Sequence, residues 1–267
     1  MITGPRLRYL ARQKNLTAGL MEKDYVNSWI LYAIFTENDL KRSVVFKGGT
    51  LLHKIYFKEK WRFSEDIDLT ALKDFSEAHF EDKLQKSLST TSERSGIGFD
   101  ITSYHSNPGY IQVKIQYDAL LGQKNTTKID VTRNEKVLFD TQIKDHKLED
   151  IPTFQLNCYS LDEIFVEKIR SLFERNRARD YYDVYRMYCE HDFKLDSVTD
   201  ALKEKMKAKD MKLRMEIPKE KKEELKEYWH TNLSRFVSPE NFPKFEDAMK
   251  NIDQLIEELK KIDVDFI

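Results

Sequence analysis

The sequence predicts an α+β fold, a small mixed sheet with helices followed by an α-helical second half. The first observation behind this is the apolar period. It is helical over the opening 40 residues, becomes two between residues 97 and 132, and turns helical again after Pro152. The second is composition: 8 Gly and 6 Pro in 267 residues argue against collagen, low-complexity disorder and a Gly-rich sandwich. A chain this long also buries well over half of its unfolded surface, so it needs neither a disulfide nor a metal staple.

In chain order, Asp24 is placed to cap a helix from Tyr25 to Phe35, where Tyr25, Trp29, Ile30, Ala33 and Ile34 recur at helical spacing. A short apolar run from Ser43 to Phe46 leads into Lys47-Gly48-Gly49-Thr50, and Leu51 to Phe57 reads as helix. Asp66-Ile67-Asp68-Leu69-Thr70 alternates as a strand does. Residues 75–92 are a further helix. Ile111, Val113, Ile115 and Tyr117 then share one strand face, Ile129 and Val131 share a face of the next, and Gly122–Thr126 reads as the turn between them. After Pro152 the strand signal fades: 160–190 reads as one long helix or two in tandem, with more helices over 197–215, 219–230 and 242–261. The expected division is residues 1–155, a mixed core with a helical lead, and 156–267, an all-helical domain, with a soft boundary over 150–158.

Charge and cysteine content narrow the function classes. The 45 Lys+Arg against 46 Asp+Glu leave a net charge of −1, so any nucleic-acid contact needs a local patch. The most basic run, Lys203 to Arg214, holds six basic and two acidic residues and reads either as a grip on an RNA backbone or as a solvated helix face. Cys158 and Cys189 are too few for a disulfide framework or a cysteine zinc site, and fit a reducing compartment. The six histidines are scattered, and His53 reads as packing beside the Gly-Gly-Thr helix. No apolar stretch follows the charges of the first residues and no run reaches the length of a membrane span. The expectation is a cytoplasmic protein with no membrane partner.

The chemistry concentrates in two segments. On a strand Asp66 and Asp68 project to one side while Ile67 and Leu69 enter the core. Two carboxylates side by side repel unless a cation lies between them, and Mg²⁺ or Mn²⁺ with substrate phosphates fits that need; the alternative is a solvated strand face. Upstream, Lys47, Gly48, Gly49 and Thr50 are candidate nucleotide-binding residues. The glycines permit positive φ and close backbone approach, and Thr50 opens a helix whose amides and hydroxyl can hold phosphate, unless this is an ordinary strand-to-helix turn. Together the two segments suggest a device for a nucleoside triphosphate. Asp130, on the face opposite Ile129 and Val131, is the candidate third carboxylate of a two-metal site.

These segments, with Lys128-Ile129-Asp130-Val131-Thr132 and the stretch from Glu167 to Met187, resemble the AbiEii/AbiGii family of nucleotidyltransferase-like toxins, which includes the MenT enzymes. The matching motifs span residues 22–188, beginning with Glu22-Lys23-Asp24-Tyr25. Thr50 stands where many relatives have Ser, and it keeps the hydroxyl. The resemblance implies a DNA polymerase β-like nucleotidyltransferase core. By it, Gly49 and Thr50 contact the triphosphate and Asp66, Asp68 and Asp130 are the catalytic, metal-holding carboxylates. Lys168 holds the phosphates from a helix, and Asp183 and Asp180 line the rim. It also implies an NTP substrate, the 3′ end of tRNA as leading acceptor, a cognate antitoxin, and no DNA or membrane partner.

Lys168 falls within the apolar stripe of Ile164, Phe165, Ile169, Leu172 and Phe173, from which a lysine can also snorkel to solvent. Arg179 and Asp183 stand at ion-pair spacing. Arg62 is either structural or a phosphate contact. Tyr181, Tyr182, Tyr185 and Tyr188 either stack on bases or belong to the core. Competing readings are transfer to a protein hydroxyl, a non-catalytic nucleotide- or partner-binding regulator, and a Mg²⁺-dependent nuclease. The last has no need of the Gly-Gly-Thr turn or of Lys168.

Overall fold

The structure, a computed structural model, describes residues 2–58, 61–212 and 215–266. They form two compact units. One holds the chain to Glu135 together with Thr141–Tyr159, and the other holds Lys136–Asp140 and the chain from Ser160 onward.

The first unit opens with helices α1 (Gly4–Gln13), α2 (Ala18–Thr36) and α3 (Asn38–Lys41). The start of α2 lies earlier than the sequence suggests, because Thr17 has an extended backbone and its hydroxyl accepts from the Leu20 amide. Asp24 therefore lies inside the helix rather than at its cap. Trp29, Ile30, Ala33 and Ile34 are buried with most of the helix around them, the mark of a helix embedded in a core.

Strand β1 (Val44–Lys47) runs into α4 (Gly48–Leu51), which loosens into a π turn over Leu52–Tyr56. Then come β2 (Ile67–Ala71), α5 (Glu77–Ser95), β3 (Phe99–Asn107), β4 (Tyr110–Asp118), β5 (Lys124–Thr132), β6 (Gln142–Leu148) and β7 (Ile151–Cys158). The seven strands form one mixed sheet in the order β3-β4-β5-β2-β1-β7-β6. β1 is antiparallel to β2 and parallel to β7, and β2 is parallel to β5. Phe46, Leu69, Val131 and Ile111 lie opposite one another across four strands and are fully buried, which fixes the register: a one-residue slip would turn this row to the other face.

β6 lies in a segment for which the sequence predicts no element, and β7 runs on past Pro152, where the strand signal was expected to fade. β6 is an edge strand of mostly charged and polar residues, a composition that discourages further pairing. Its His146 is buried against the Phe154 ring; burial and the nearby Lys54 charge push its pKa down to about 3, so it stays neutral. A register shift between His146 and Leu148 breaks the apolar alternation of the hairpin, which accounts for its faint pattern.

The second unit contains α6 (Leu161–Glu174), α7 (Ala178–Glu190), α8 (Leu195–Ala208), α9 (Lys219–Thr231) and α10 (Phe245–Ile262). The segment 160–190 is thus two helices in tandem. α8 ends at Ala208, short of the helix expected over 197–215: the described residues 209–212 and 215 are not helical, and Leu213 and Arg214 lie outside the described residues. Tyr181, Tyr182, Val184 and Met187 are fully buried, so those two tyrosines belong to the core, while the Tyr188 hydroxyl donates to Glu258 of α10. Cys158 and Cys189 are both free thiols. Among the described residues, no helix is long and apolar enough to cross a membrane.

Candidate active site

The turn from β1 into α4 is built around what two glycines leave out. Gly48 has φ +81°, and a Cβ there would collide with the Asp68 carboxylate. A Cβ on Gly49 would lie 2.6 Å from a guanidinium nitrogen of Arg62, a buried side chain that also donates to the Phe63 carbonyl at 3.1 Å. The Thr50 hydroxyl, fully buried, donates to the Asp66 carbonyl at 2.5 Å. Each member of Gly48-Gly49-Thr50 thus answers to one part of the segment from Arg62 to Asp68, so turn and carboxylates form one assembly. Gly48→Ala is expected to destabilise the fold by about 1–3 kcal/mol, through left-handed strain and displacement of Asp68. A thermal melt with a transfer assay checks it: a melting temperature and an activity both equal to the parent's would contradict this account.

The carboxylates follow from strand register. Lys47 lies opposite Asp68, Asp68 opposite Asp130, and Asp130 opposite Gln112, so these four side chains share one face in a single row. Asp66 stands just before β2, half-buried like Asp68 and Asp130. Lys47 is buried, its ammonium 5.7 Å from the Tyr159 ring centre. Asp130 Oδ1 accepts from the Tyr110 hydroxyl and, at 2.9 Å, from Gln112 Nε2. Burial and this carboxylate raise the Tyr110 pKa above its ordinary value, so the phenol stays a donor.

A second layer fixes the segment that carries Asp66. Asn27 of α2 donates to the Glu65 carbonyl at 2.8 Å and accepts from the Thr127 hydroxyl at 2.8 Å, and that hydroxyl also lies 3.1 Å from the same carbonyl. Lys54 donates to the Asp24 carboxylate at 2.7 Å and to the Ser28 hydroxyl at 2.8 Å, with His53 3.7 Å from the carboxylate. Burial alone would raise the Asp24 pKa, but Lys54 and His53 hold it well below the usual carboxylate range. Nothing in the sequence alone marks Asn27 and Thr127 as supports, and Tyr110 and Gln112 were not among the expected site residues. The last two carried a signal in their alternation on β4, usable only once the hairpin register is known.

Among the described residues, no three His, Cys, Asp or Glu side chains gather closely enough to hold a metal ion. The donor set still has the right chemistry for a hard cation, since Asp66, Asp68 and Asp130 offer only oxygen and neighbouring strands lie about 4.8 Å apart. Asp130 Oδ1 is here engaged by its two donors.

The remaining candidates lie in the helical unit. Lys168 projects from α6 into a buried cluster, its ammonium 2.9 Å from Asp180 and 2.8 Å from Asp183 of α7. Arg175 Nε meets the other Asp180 oxygen at 2.8 Å. Burial would raise the Asp180 pKa, but Lys168 and Arg175 hold it well below the ordinary range. The guanidinium of Arg179 lies 5.1 Å over the Phe236 ring. The basic run is partly spent inside this unit. Lys203 pairs with Asp263 and Asp265, and the fully buried Lys205 lies 2.6 Å from Glu163. These two lysines are therefore not a solvated phosphate-gripping face, and Arg214, which closes the run, lies outside the described residues.

A family model described as the nucleotidyl transferase AbiEii toxin of a type IV toxin–antitoxin system matches residues 29–251. Among solved structures, the fold is similar to MenT4, a nucleotidyltransferase toxin from Mycobacterium tuberculosis. The match has a TM-score of 0.68 at 14% identity and covers 98% of this chain and 93% of that one. A comparison with curated proteins finds no match.

Proposed function

We propose, since the chain belongs to the AbiEii family of nucleotidyltransferase toxins of type IV toxin–antitoxin systems, that it transfers a nucleotide from an NTP to the 3′ end of tRNA in a Mg²⁺-dependent reaction. The family implies an NTP substrate and an antitoxin partner; the acceptor and the metal are the proposal. One observation supports this reading above others. The row Lys47, Asp68, Asp130 lies beside a glycine turn with no space for a Cβ, so an ammonium, two carboxylates and close-approaching backbone share one face.

In this reading the acceptor hydroxyl oxygen attacks the α-phosphorus. The new P–O bond forms as the bond to the bridging oxygen breaks, pyrophosphate leaves, and the hydroxyl proton is released to solvent. Asp66, Asp68 and Asp130 would hold Mg²⁺, or Mn²⁺ in its place, which when bound supplies positive charge to phosphate oxygens and makes the attacking hydroxyl more acidic. By the family resemblance the Gly48–Thr50 turn would contact the triphosphate, and the Lys47 ammonium would offset its charge. Tyr110 and Gln112 orient the Asp130 carboxylate through Oδ1. Lys168 is assigned to the nucleotide phosphates by resemblance, with Asp180 and Asp183 fixing its ammonium.

The test incubates the protein with total tRNA, Mg²⁺ and each α-³²P-labelled NTP in turn. Label on tRNA with one NTP is the expected result. Label on protein would redirect the reading to a protein hydroxyl as acceptor. Cleaved RNA without label would replace transfer with nuclease chemistry, and no label on intact RNA would favour a non-catalytic regulator.

A further inference from the structure

The helical unit contains a cavity of about 480 Å³ at the start of α7, where that helix meets α9 and the short turn Leu233–Arg235. Its wall carries three arginines, Arg177, Arg179 and Arg235, and two aromatic rings, Tyr228 and Phe236. Among the described residues it carries one carboxylate, Glu224, which accepts from Asn176 Nδ2 at 2.9 Å. The Arg179 guanidinium lies over the Phe236 ring, 5.1 Å from its centre. Arg177 and Arg235 have no ion-pair partner among the described residues, and both are exposed. Arg177 is also the cap residue of α7 and makes no capping bond with its side chain, so the positive end of the helix dipole adds to the guanidinium charge.

Arg177 and Arg235, exposed on the wall of one cavity, attract an anion, and guanidinium is the group best matched to a phosphate's paired oxygens. The volume lies within the roughly 300–1,000 Å³ of small-ligand sites. Tyr228, exposed at the rim, offers a ring face on which a planar group can stack. We infer that this cavity binds a nucleotide unit, with phosphate on Arg177, Arg235 and Arg179 and the base against Tyr228. The unit is either a free mononucleotide or one residue of a single-stranded RNA; the chemistry is shared and the test separates the two sources. None of the carboxylates of the first unit takes part, so a chain that transferred nothing would still bind here.

The experiment measures the anisotropy of a fluorescein-labelled oligoadenylate on the full chain, without NTP or divalent ions, across a salt series. Arg177→Gln/Arg235→Gln is expected to weaken binding by about tenfold and to flatten the logarithmic salt dependence by about 1.4, the contribution of two single-strand phosphate contacts. Tyr228→Ala is expected to weaken binding at least about fivefold through lost stacking. Arg8→Gln/Arg12→Gln, which removes the same charge from the exposed face of α1, is expected to stay within about twofold of the parent. Displacement of the strand by AMP assigns the cavity to free nucleotides, and its absence assigns it to RNA; both agree with a nucleotide unit. The inference is overturned if the double Arg177/Arg235 variant binds like the parent, or if the α1 control loses as much affinity. A thermal melt of each variant confirms that these exposed substitutions leave the fold intact.

Discussion

Asp68→Asn is expected to reduce nucleotide transfer by roughly 10³-fold while leaving the melting temperature within a few degrees of the parent's. The loss follows from charge. A cation clamp supplies several kcal/mol to a phosphoryl-transfer transition state, and each ~1.4 kcal/mol removed slows the reaction tenfold. The unchanged stability follows from register. Asp68 stands between Lys47 and Asp130 in the row, so neutralising it removes one attraction and one like-charge repulsion. Asn fills the same volume, so the close approach of Gly48 is undisturbed. A structural role for Asp68 predicts the reverse, a lower melting temperature with activity reduced only in proportion to the unfolded fraction. Measuring both on one preparation separates the two, and a variant that keeps a tenth or more of the parent's activity removes Asp68 from the metal assignment.

The same substitution shows which parts of the site could be read in the sequence. The alternation Asp66-Ile67-Asp68-Leu69 fixed which side chains enter the core, and Ile67 and Leu69 are fully buried. The pairing of β2 with β5 is a matter of topology, because parallel strands are joined through distant chain and no local signal sets their register. That pairing brings Asp130 opposite Asp68. Thr50 shows a different limit. A hydroxyl after two glycines suggested a phosphate contact, whereas its proton goes to the Asp66 carbonyl, a partner sixteen residues away that no local pattern could identify. The start of α2 was missed because Thr17 and Asp24 are both good cap residues. Thr17 takes the cap, and Asp24 is bonded to Lys54 from inside the helix. The five helices after Ser160 were more legible, because amphipathic period is a local property and their apolar faces fill the core of that unit.

Lys168→Met is expected to produce the largest loss of stability, about 3–5 kcal/mol, because it leaves Asp180 and Asp183 buried with their shared cation gone. Methionine fills most of the lysine's volume, so the cost is electrostatic rather than a cavity. Arg175 remains beside Asp180, whereas Asp183, fully buried, loses the ammonium 2.8 Å away. Restoring charge balance should therefore recover stability: Lys168→Met/Asp183→Asn is expected to melt above Lys168→Met alone. The pH dependence gives a second readout. Asp180 titrates below its unfolded value, so its contribution is fully present above the unfolded carboxylate pKa of about 3.9 and is lost as pH falls through the folded value. The parent is then expected to lose stability progressively below pH of about 4. In Lys168→Met the folded pKa of Asp180 rises toward the unfolded one, because the ammonium that holds it down is absent, and that acid-dependent loss becomes shallower. Denaturant melts of the three proteins between pH 3 and pH 7 would show it, on the pH range that this about 3.9 reference defines. If the double variant is no more stable than the single one, the ion cluster is not what Lys168 contributes to the fold. A transfer assay on the double variant then bears on the site role of the pair: a well-folded protein with transfer lost keeps the Lys168–Asp183 pair in nucleotide binding, and one with full transfer confines both to holding α6 against α7.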